Sequence, residues 1–316
     1  MLNIEYFSLP LLVSLFYQSS LHKKDEKYSL LFKFSNVTLV ICLISLFCYI
    51  FLTLLNLLPY SEVSFYWGRD VTCRTFFNIY YEAQTTPIFS STFKVIRNCG
   101  IFCEAPMFSF VISIALLIEL FLKSEKNFKK IFIFILTILT TFSTTGILLS
   151  LISLFIFIIG NIRKFKKKYH NFFMIMLPTI FIVFFIIGYI YIYDKMTIGE
   201  LSFNCREDDI ASCLKCFTEN PIFGVGFGNS DKIINYFSEW RMNNLGLSTG
   251  FFILLAELGL FFVIPLLFYG MKFCFVKYNN EYYFNINKFG FFFCFILIYI
   301  ITNVPSKQIV LIIFSM

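Results

Sequence analysis

Five arginines in the polar intervals of the chain are candidates for binding phosphate. A guanidinium donates two parallel hydrogen bonds to phosphate oxygens and stays charged at physiological pH. Three of these residues lie in the interval 59–98 and two in the interval 194–247, and they are Arg69, Arg74, Arg97, Arg206 and Arg241. For each of them, the alternative is an ordinary solvated arginine.

One carboxylate could act as a general base. Glu104 stands at the start of the apolar segment 101–122, where a charge is costly unless it is paired or faces a cavity. It could accept a proton or bind a sugar hydroxyl. Arg97 lies seven residues earlier, on the same face if the segment is helical, so a structural ion pair is the alternative. Glu257 is a weaker candidate, and Glu119 is expected to extend toward the inner surface.

A glycine-rich loop could bind phosphate through its backbone. The loop follows Asn220-Pro221 and directly precedes a predicted helix that starts at Ser230. Free N–H groups and a helix dipole favour an anion at such a place. The candidate substrate-binding residues of this loop are Gly224, Gly226, Gly228 and Asn229. A plain glycine turn is the alternative.

Segment 131–160 is expected to be a hairpin of two short helices. A single helix of its 30 residues would be about 45 Å long, against a hydrocarbon core of about 30 Å, and both of its flanks are basic. The break should lie at Ser143-Thr144-Thr145-Gly146, the polar cluster of the segment. Irregular backbone at that depth is buried in protein or lines a wet cavity, which makes Ser143, Thr144 and Thr145 substrate-binding candidates. The alternative is a bent helix whose threonines bond back to it.

Metal and cofactor chemistry are not expected. His22 and His170 both lie in short basic intervals, which excludes histidine-based catalysis on the opposite side of a membrane. The cysteines Cys213 and Cys216 have zinc-ligand spacing, but a zinc site needs more ligands than this region offers. A disulfide among such cysteines and inert thiols both stay open.

The composition places all of these residues on a membrane protein. The chain has 316 residues, of which 58% are hydrophobic and 14% charged, and its mean hydropathy is +0.77. Several apolar runs are long enough to cross a bilayer, which excludes a soluble domain. The net charge of +7 does not indicate nucleic acid, because the basic residues gather in short loops between apolar runs.

The sequence therefore predicts an all-α, polytopic integral membrane protein with a single membrane domain over 1–316. We expect about eight to nine transmembrane helices, including the short-helix hairpin. Besides the hairpin, the apolar segments are 4–20, 37–58, 101–122, 171–193, 248–270 and 286–304.

The distribution of lysine and arginine predicts the orientation. Short basic loops stay in the cytoplasm, so the two long loops, 59–98 and 194–247, face the periplasm. We expect the second of them to carry two amphipathic helices on the membrane surface. The first would run from Glu207-Asp208-Asp209 to a stop at Asn220-Pro221, and the second from Ser230 to Trp240.

Three motifs in this order resemble bacterial O-antigen and capsule polysaccharide polymerases of the O-antigen ligase/polymerase superfamily. The stretch from Arg97 to Pro106 is similar to the family's R-x-x-G-I-F-x-E-P signature, and Ser143-Thr144-Thr145-Gly146 resembles its S-T-T-G hairpin. Arg206, followed by the segment 220–229, resembles R…N-P-x-x-G-x-G-x-G-N. The related ligases carry a histidine at the end of this loop. This chain has Leu247-Ser248-Thr249-Gly250 there, so the resemblance favours a polymerase.

The resemblance implies a glycosyltransferase in the bacterial inner membrane, with its active site facing the periplasm. A sugar hydroxyl of one lipid-linked repeat unit would attack C1 of a growing glycan on a second lipid, and polyprenyl diphosphate would leave. Glu104 would be the base, and Arg97 and Arg206 would stabilise the leaving group without a metal. Arg74 and Arg241 would bind substrate. The implied partners are the polyprenyl-diphosphate-linked oligosaccharide, membrane lipid, a chain-length regulator and a flippase, with no nucleic acid.

A flippase or other transporter of lipid-linked oligosaccharides is an alternative from another class. Such a protein would be expected to show internal repeats and polar residues along many helices. No repeat is evident, and the polar groups gather in the two long loops.

The predicted orientation can be tested with reporter fusions. A fusion after Lys168 is expected to give a cytoplasmic signal and a fusion after Asn229 a periplasmic one, because the basic loops stay inside. Identical signals from the two fusions would contradict the orientation and the placement of the candidate residues.

Overall fold

The computed structural model describes residues 28–66, 70–88, 90–161, 200–241 and 246–302. This part of the chain is mostly helical and forms two compact units. One covers Ser29–Asn161, and the other holds residues 200–302 of the described chain. The predicted segments 4–20 and 171–193, Arg69 and both histidines lie outside the described residues.

The first unit contains four helices and five strands. The helices are α1 (Ser29–Cys48), α2 (Ala105–Leu117), α3 (Phe128–Thr140) and α4 (Thr144–Asn161). α1 and α2 continue as π-helical turns over Tyr49–Leu54 and Ile118–Leu122. The strands are β1 (Ser61–Tyr66), β2 (Asp70–Phe76), β3 (Tyr80–Glu82), β4 (Thr85–Ile88) and β5 (Ser90–Ile96).

The second unit contains four helices, a 3-10 turn and a hairpin within its described residues. The helices are α5 (Glu200–Glu219), α6 (Ser230–Ile234), α7 (Gly250–Phe273) and α8 (Ile286–Ile301), and the 3-10 turn is Glu239–Arg241. The strands β6 (Phe275–Tyr278) and β7 (Glu281–Phe284) are antiparallel.

Four described helices are long and apolar enough to cross a membrane, which makes this a multi-pass membrane protein. They are Ser29–Leu54, Ala105–Leu122, Thr144–Asn161 and Gly250–Phe273. Three of them overlap the predicted spans 37–58, 101–122 and 248–270. α8 is apolar but shorter. The total of about eight to nine spans stays a prediction.

The interval 59–98 departs from the all-α prediction. β1, β2 and β3 form an antiparallel sheet in that order, and β4 pairs with β5. β-branched and aromatic residues, which make up four of the seven residues of Asp70–Phe76, favour strands. Phe76 and Tyr80 pack against Tyr49 and Leu52 in one hydrophobic cluster, so the sheet lies against the end of the first span.

The helical hairpin is confirmed. α3 ends at Thr140 and α4 begins at Thr144, so the break lies at the predicted polar cluster. The hydroxyls of Thr140 and Thr141 also donate to the carbonyls of Thr137 and Ile138, so the threonines bond back to α3 as well. Phe142, with φ of 47°, turns the chain between the two helices.

The second long loop does contain a helix that ends where predicted, but this helix begins at Glu200, seven residues before the predicted start, and its successor is shorter than predicted. α5 covers the predicted acidic start and ends at Glu219, just before Asn220-Pro221. α6 does begin at Ser230 but ends at Ile234. Trp240 belongs to the separate 3-10 turn. The apolar residues that indicated one helix are thus distributed over two short elements.

The prediction that Glu119 extends to the surface is wrong. Its carboxylate is fully buried, accepts a hydrogen bond of 2.6 Å from Ser35 Oγ and pairs with Lys123 Nζ at 2.5 Å. Lys130 Nζ lies 3.8 Å away. The lysines extend to the carboxylate instead, which compensates its charge inside the protein.

The helix α2 is the most enclosed of the four candidate spans and contacts α1, α3 and α4. Its closest approach to α4 is at Gly146, where a Cβ would overlap the hydroxyl of Ser109. Ser109 Oγ is buried and has no hydrogen-bond partner among the described residues. Small residues at this crossing bring the two helices together.

The variant Gly146→Ala is expected to destabilise the protein by about 1 to 3 kcal/mol, because the added methyl overpacks this crossing. Ser109→Ala in the same chain should recover part of the loss by removing the overlapping hydroxyl. Thermal unfolding of the two single variants and the double variant in detergent measures both effects. A higher melting temperature for Gly146→Ala alone would show that helix propensity outweighs packing here.

Candidate functional site

Two of the three motifs meet in the first unit. Arg97 Nε donates to the carbonyl oxygen of Thr141 at 2.9 Å. Asn98 makes two hydrogen bonds to Thr140, the residue before Thr141. Its backbone N–H donates to Thr140 O and its side-chain Nδ2 donates to Thr140 Oγ1, both at 3.0 Å. The chain that leaves β5 therefore holds the turn between α3 and α4.

Asn98 is a site residue that sequence reasoning missed. It is fully buried, and its Oδ1 accepts hydrogen bonds from Ser45 Oγ at 2.6 Å and from Gly100 N at 3.1 Å. Together with its bonds to Thr140, these contacts join α1, the end of α3 and the segment that leads into α2. Its position beside Arg97 in the first motif was the available signal.

The residues of the polar cluster at the hairpin turn have different structural roles. Ser143 is buried, and its Oγ accepts from Gly146 N at 3.4 Å, so it caps the start of α4. Thr144 and Thr145 are half-buried in the first turn of that helix. The structure thus brings the turn and Arg97 together, with Ser143 committed to the helix.

The ion pair between Arg97 and Glu104 is not formed. Residues 97–104 are not helical, so the seven-residue spacing does not place the two side chains on one face. Glu104 precedes α2 with extended backbone, and it is Gln84 Oε1 that accepts from Ala105 N, at 3.1 Å. The Glu104 carboxylate is half-buried and takes part in none of the hydrogen bonds or ion pairs of the described residues.

Arg74 is exposed on the sheet. It lies opposite Glu62 on β1 and Glu82 on β3, and its guanidinium is 4.3 Å from the centre of the Tyr60 ring. Burial raises the pKa of Glu82, and the positive charge of Arg74 opposes this shift. Arg74 therefore has a surface environment of cross-strand carboxylates.

In the second unit, Arg241 and Asp209 form a buried ion pair. Arg241 is only 3% exposed, and Nη1 contacts Asp209 Oδ1 while Nη2 donates to Gly246 O at 2.8 Å. Its guanidinium also stacks on Phe237, 3.8 Å from the ring centre. Every side of this group is thus occupied by protein.

The same aspartate also holds the chain just before α7. Asp209 Oδ2 accepts hydrogen bonds from the backbone N of Ser248 at 2.8 Å and from its hydroxyl. Ser248 belongs to the stretch in which the related ligases carry histidine. The Arg241–Asp209 pair therefore fixes the start of α7 against α5.

Arg206 differs from Arg241 in being uncommitted. It lies three residues before Asp209 on α5 and is half-buried. Burial lowers the pKa of Arg206, and the charge of Asp209 opposes the shift, but an arginine stays protonated even so. The Arg206 guanidinium appears in none of the hydrogen bonds or ion pairs of the described chain. Within residues 28–66, 70–88, 90–161, 200–241 and 246–302, it is therefore a partly desolvated positive charge with uncommitted donors.

The amides of the glycine-rich loop already have protein acceptors. Gly224 N donates to Asn220 O at 3.0 Å, and Gly226 N donates to Glu257 O at 2.8 Å. Gly228 N donates to the side-chain Oε2 of Glu257 at 3.1 Å. The three glycines have φ of 64°, 97° and 76°, which favours glycine. This geometry supports a structural turn and leaves these three N–H groups occupied.

Glu257 is the residue of α7 that accepts two of these hydrogen bonds. Its side chain is buried within α7, and both its backbone and its carboxylate accept from the loop. Asn229, at the end of the loop, is exposed, and its Nδ2 donates to Val225 O at 2.8 Å. The exposed Asn229 thus belongs to a loop that is bound to α7.

The cysteines are inert thiols. All ten are free, which rules out the disulfide alternative. Cys213 and Cys216 are buried in a hydrophobic cluster with Ile253 and Ala256, and burial raises the pKa of Cys213 to about 12. In the part of the chain that the structure describes, no group of three or more His, Cys, Asp or Glu residues could hold a metal ion.

A comparison with known protein families gives a match that covers two of the three motifs. Residues 131–268 match the O-antigen ligase family. The matched stretch runs from α3 into α7 and so includes the hairpin turn, Arg206 and the glycine-rich loop. No curated protein and no solved structure matches the chain.

The O-antigen ligase family match confirms the resemblance that the motifs indicated. It supports activity of the O-antigen ligase/polymerase type, and with it a lipid-linked polysaccharide substrate. The four apolar helices agree with a protein of this kind that works within a membrane.

The variant Arg241→Ala is expected to reduce protein abundance, because it leaves Asp209 buried and unpaired at a cost of about 3 to 5 kcal/mol. Arg241→Lys should restore it only in part, since an ammonium cannot contact both Asp209 and Gly246 in the same fork geometry. Quantitative immunoblots of membranes measure the effect, with Lys215→Ala on the exposed side of α5 as control. Normal abundance with lost activity would place Arg241 on the substrate instead.

Proposed function

We propose that the protein is an O-antigen or capsule repeat-unit polymerase of the bacterial inner membrane. It transfers a growing polyprenyl-diphosphate-linked glycan onto a second lipid-linked repeat unit at the periplasmic face. The observation that carries the proposal is Arg206, a half-buried guanidinium whose donors are uncommitted within the described chain.

The neighbouring charges explain why Arg206 can serve a substrate. The charge of Asp209 acts on Arg206, but both oxygens of that carboxylate are engaged by Arg241 and Ser248. A partly desolvated guanidinium with free donors is suited to a diphosphate, because charge-assisted hydrogen bonds are stronger away from bulk water. Arg206 would therefore stabilise the negative charge that develops on the leaving group.

The proposed reaction is a direct glycosyl transfer. The oxygen of the acceptor hydroxyl bonds to C1 of the donor glycan while the bond from C1 to the diphosphate oxygen breaks. The hydroxyl proton passes to the carboxylate of Glu104, and the electron pair of the broken bond leaves with polyprenyl diphosphate. Guanidinium groups supply the positive charge, so the reaction in this form needs no metal or cofactor.

The other candidates have supporting roles in this proposal. Arg97 keeps its assignment to the diphosphate and also positions the hairpin through Thr141. Thr144 and Thr145 would bind sugar hydroxyls at the start of α4, and the exposed Arg74 would attract the anionic substrate. In the second unit, Asn229 would bind substrate directly. Ser143, Arg241, Gly224, Gly226 and Gly228 would act by shaping the site.

An O-antigen ligase is the second candidate, and the family that the chain matches carries that description. The polymerase is favoured because Leu247-Ser248-Thr249-Gly250 offers no histidine where the related ligases have one. Ser248 there is bound to Asp209, and Thr249 is buried, so neither replaces an exposed base.

The surface polysaccharide of a deletion strain separates these functions. Loss of a polymerase leaves a single repeat unit on the lipid core. Loss of a ligase leaves a bare core while lipid-linked polymer accumulates, and loss of a flippase leaves repeat units on the cytoplasmic side. The first pattern is expected, with restoration by the wild-type gene as control, and either of the others would contradict the proposal.

The variant Arg206→Ala should lower polymer formation by about a hundredfold or more, as expected for loss of one charge-stabilising donor. Protein abundance should stay normal, because the side chain has no hydrogen-bond or ion-pair partner to lose among the described residues. Arg206→Lys keeps the charge but not the fork and should retain partial activity. Lys215→Ala, which removes an exposed charge from the same helix, is the control. Full-length polysaccharide from Arg206→Ala would show that Arg206 is a solvated surface residue.

The variant Glu104→Gln tests the general base. It keeps the size of the side chain and removes its basicity, so activity should fall by about a hundredfold to ten-thousandfold at normal abundance. Glu62→Gln, an exposed acid on β1, is the matched control. Polymer made at the wild-type rate by Glu104→Gln would exclude the carboxylate from catalysis.

A further inference from the structure

The glycine-rich loop is paired with the middle of a candidate membrane span. Residues Asn220–Gly226, here termed the inserted segment, lie along residues 256–261 of α7. Val225 N and Gly226 N donate to the carbonyls of Ala256 and Glu257 at 3.0 and 2.8 Å. In return, the carbonyl oxygens of the inserted segment accept from α7.

These four bonds take the place of two bonds of a continuous helix. In an unbroken α-helix, the amides of Leu260 and Phe261 would donate to the carbonyls of Ala256 and Glu257. Here Leu260 N donates to Pro221 O at 2.9 Å, and Phe261 N donates to Ile222 O at 3.0 Å. The two carbonyls released by the break accept from the inserted segment, so the four exchanged groups are all paired.

Two glycines make this close pairing possible. Gly259 has φ of 62° and ψ of −166° inside α7, a conformation that breaks the helix and favours glycine. A Cβ on Gly259 would overlap the carbonyl of Ile222, and a Cβ on Gly224 would overlap the backbone of Glu257. The pairing therefore requires both residues to lack a side chain.

The position of the break sets its depth. Gly259 lies nine residues after Gly250 and fourteen before Phe273, the two ends of α7. At 1.5 Å per residue these distances are about 14 Å and about 21 Å. With the ends of α7 placed at the two surfaces of a hydrocarbon core of about 30 Å, the break lies inside the core whichever end faces the periplasm.

The inserted segment presents apolar side chains outward at this depth. Ile222 is 60% exposed and Phe223 67%, and Phe223 packs against Phe261, itself 69% exposed, at 5.3 Å between ring centres. In water this patch would be unfavourable. Lipid acyl chains would solvate it, while the paired backbone behind it leaves none of the four exchanged groups exposed to them.

We infer that Asn220–Gly226 is a re-entrant segment that enters the hydrocarbon core beside α7 and contacts lipid acyl chains through Ile222 and Phe223. The long loop 194–247 is thus inserted in the membrane at this point and does not only lie on its surface. Glu257, paired with Gly228 just beyond the segment, marks where the chain turns back toward the polar side.

The depth can be measured by tryptophan fluorescence in reconstituted protein. The two native tryptophans, Trp67 and Trp240, are first replaced by phenylalanine, and Phe223→Trp is introduced. Full-length protein is placed in phosphatidylcholine vesicles with or without lipids brominated at the middle of the acyl chain. Acrylamide is the aqueous quencher. Ile222→Trp serves as a second probe of the same segment.

Two matched probes calibrate the measurement. Phe268→Trp lies at an exposed position of the span α7, and Phe77→Trp lies at the exposed turn between β2 and β3. The expected ratio of bromolipid to acrylamide quenching for residue 223 is close to that for residue 268. A ratio closer to that for residue 77 would overturn the inference. No substrate is used, so the result does not depend on the proposed polymerase activity.

Discussion

A helix that breaks inside a membrane must find a hydrogen-bond partner for every backbone group that the break releases, and this requirement organises both units. In the first, the turn between α3 and α4 receives hydrogen bonds from Arg97 and Asn98. In the second, the break at Gly259 is paired with Asn220–Gly226. In both cases the partner comes from a long polar interval of the chain. Motifs that look functional by composition therefore also hold broken helices together.

Two arginines, one in α5 and one in the 3-10 turn, differ in whether their guanidinium groups are bound by the protein within the described residues. Arg241 is enclosed by Asp209, Gly246 and Phe237, and its removal leaves a buried charge unpaired. Arg206, three residues from the same aspartate, has no such commitment in the described chain, because Asp209 is already saturated. A carboxylate satisfied by one arginine and a serine leaves the neighbouring arginine desolvated but free. In the proposed function, the structural pair thereby leaves the adjacent charge available for an anionic ligand.

Hydropathy and charge predicted the features that depend on local sequence. The hairpin break at Ser143, the spans beginning near residues 101 and 248, and the end of α5 before Asn220 all follow from composition over short windows. The strands of interval 59–98 were missed because their alternation is short and carries little hydropathy signal. The contact of Arg97 with Thr141 and the burial of Glu119 beside Ser35 depend on packing between residues far apart in sequence. No periodic pattern in a single sequence indicates such contacts. Gly259 gave no signal, since a glycine within an apolar run reads as an ordinary helix residue.

The exchange of bonds between the inserted segment and α7 ties two distant positions of the sequence together. With the segment withdrawn, Leu260 and Phe261 could bond again to Ala256 and Glu257, and α7 would close into one continuous rod in which the same four groups stay paired through two bonds instead of four. Gly224 is needed only while the rod is open, and Gly259 only while the segment occupies the gap. Relatives that keep this arrangement should thus inherit the two glycines jointly. Lineages that lose one are released from selection to keep the other.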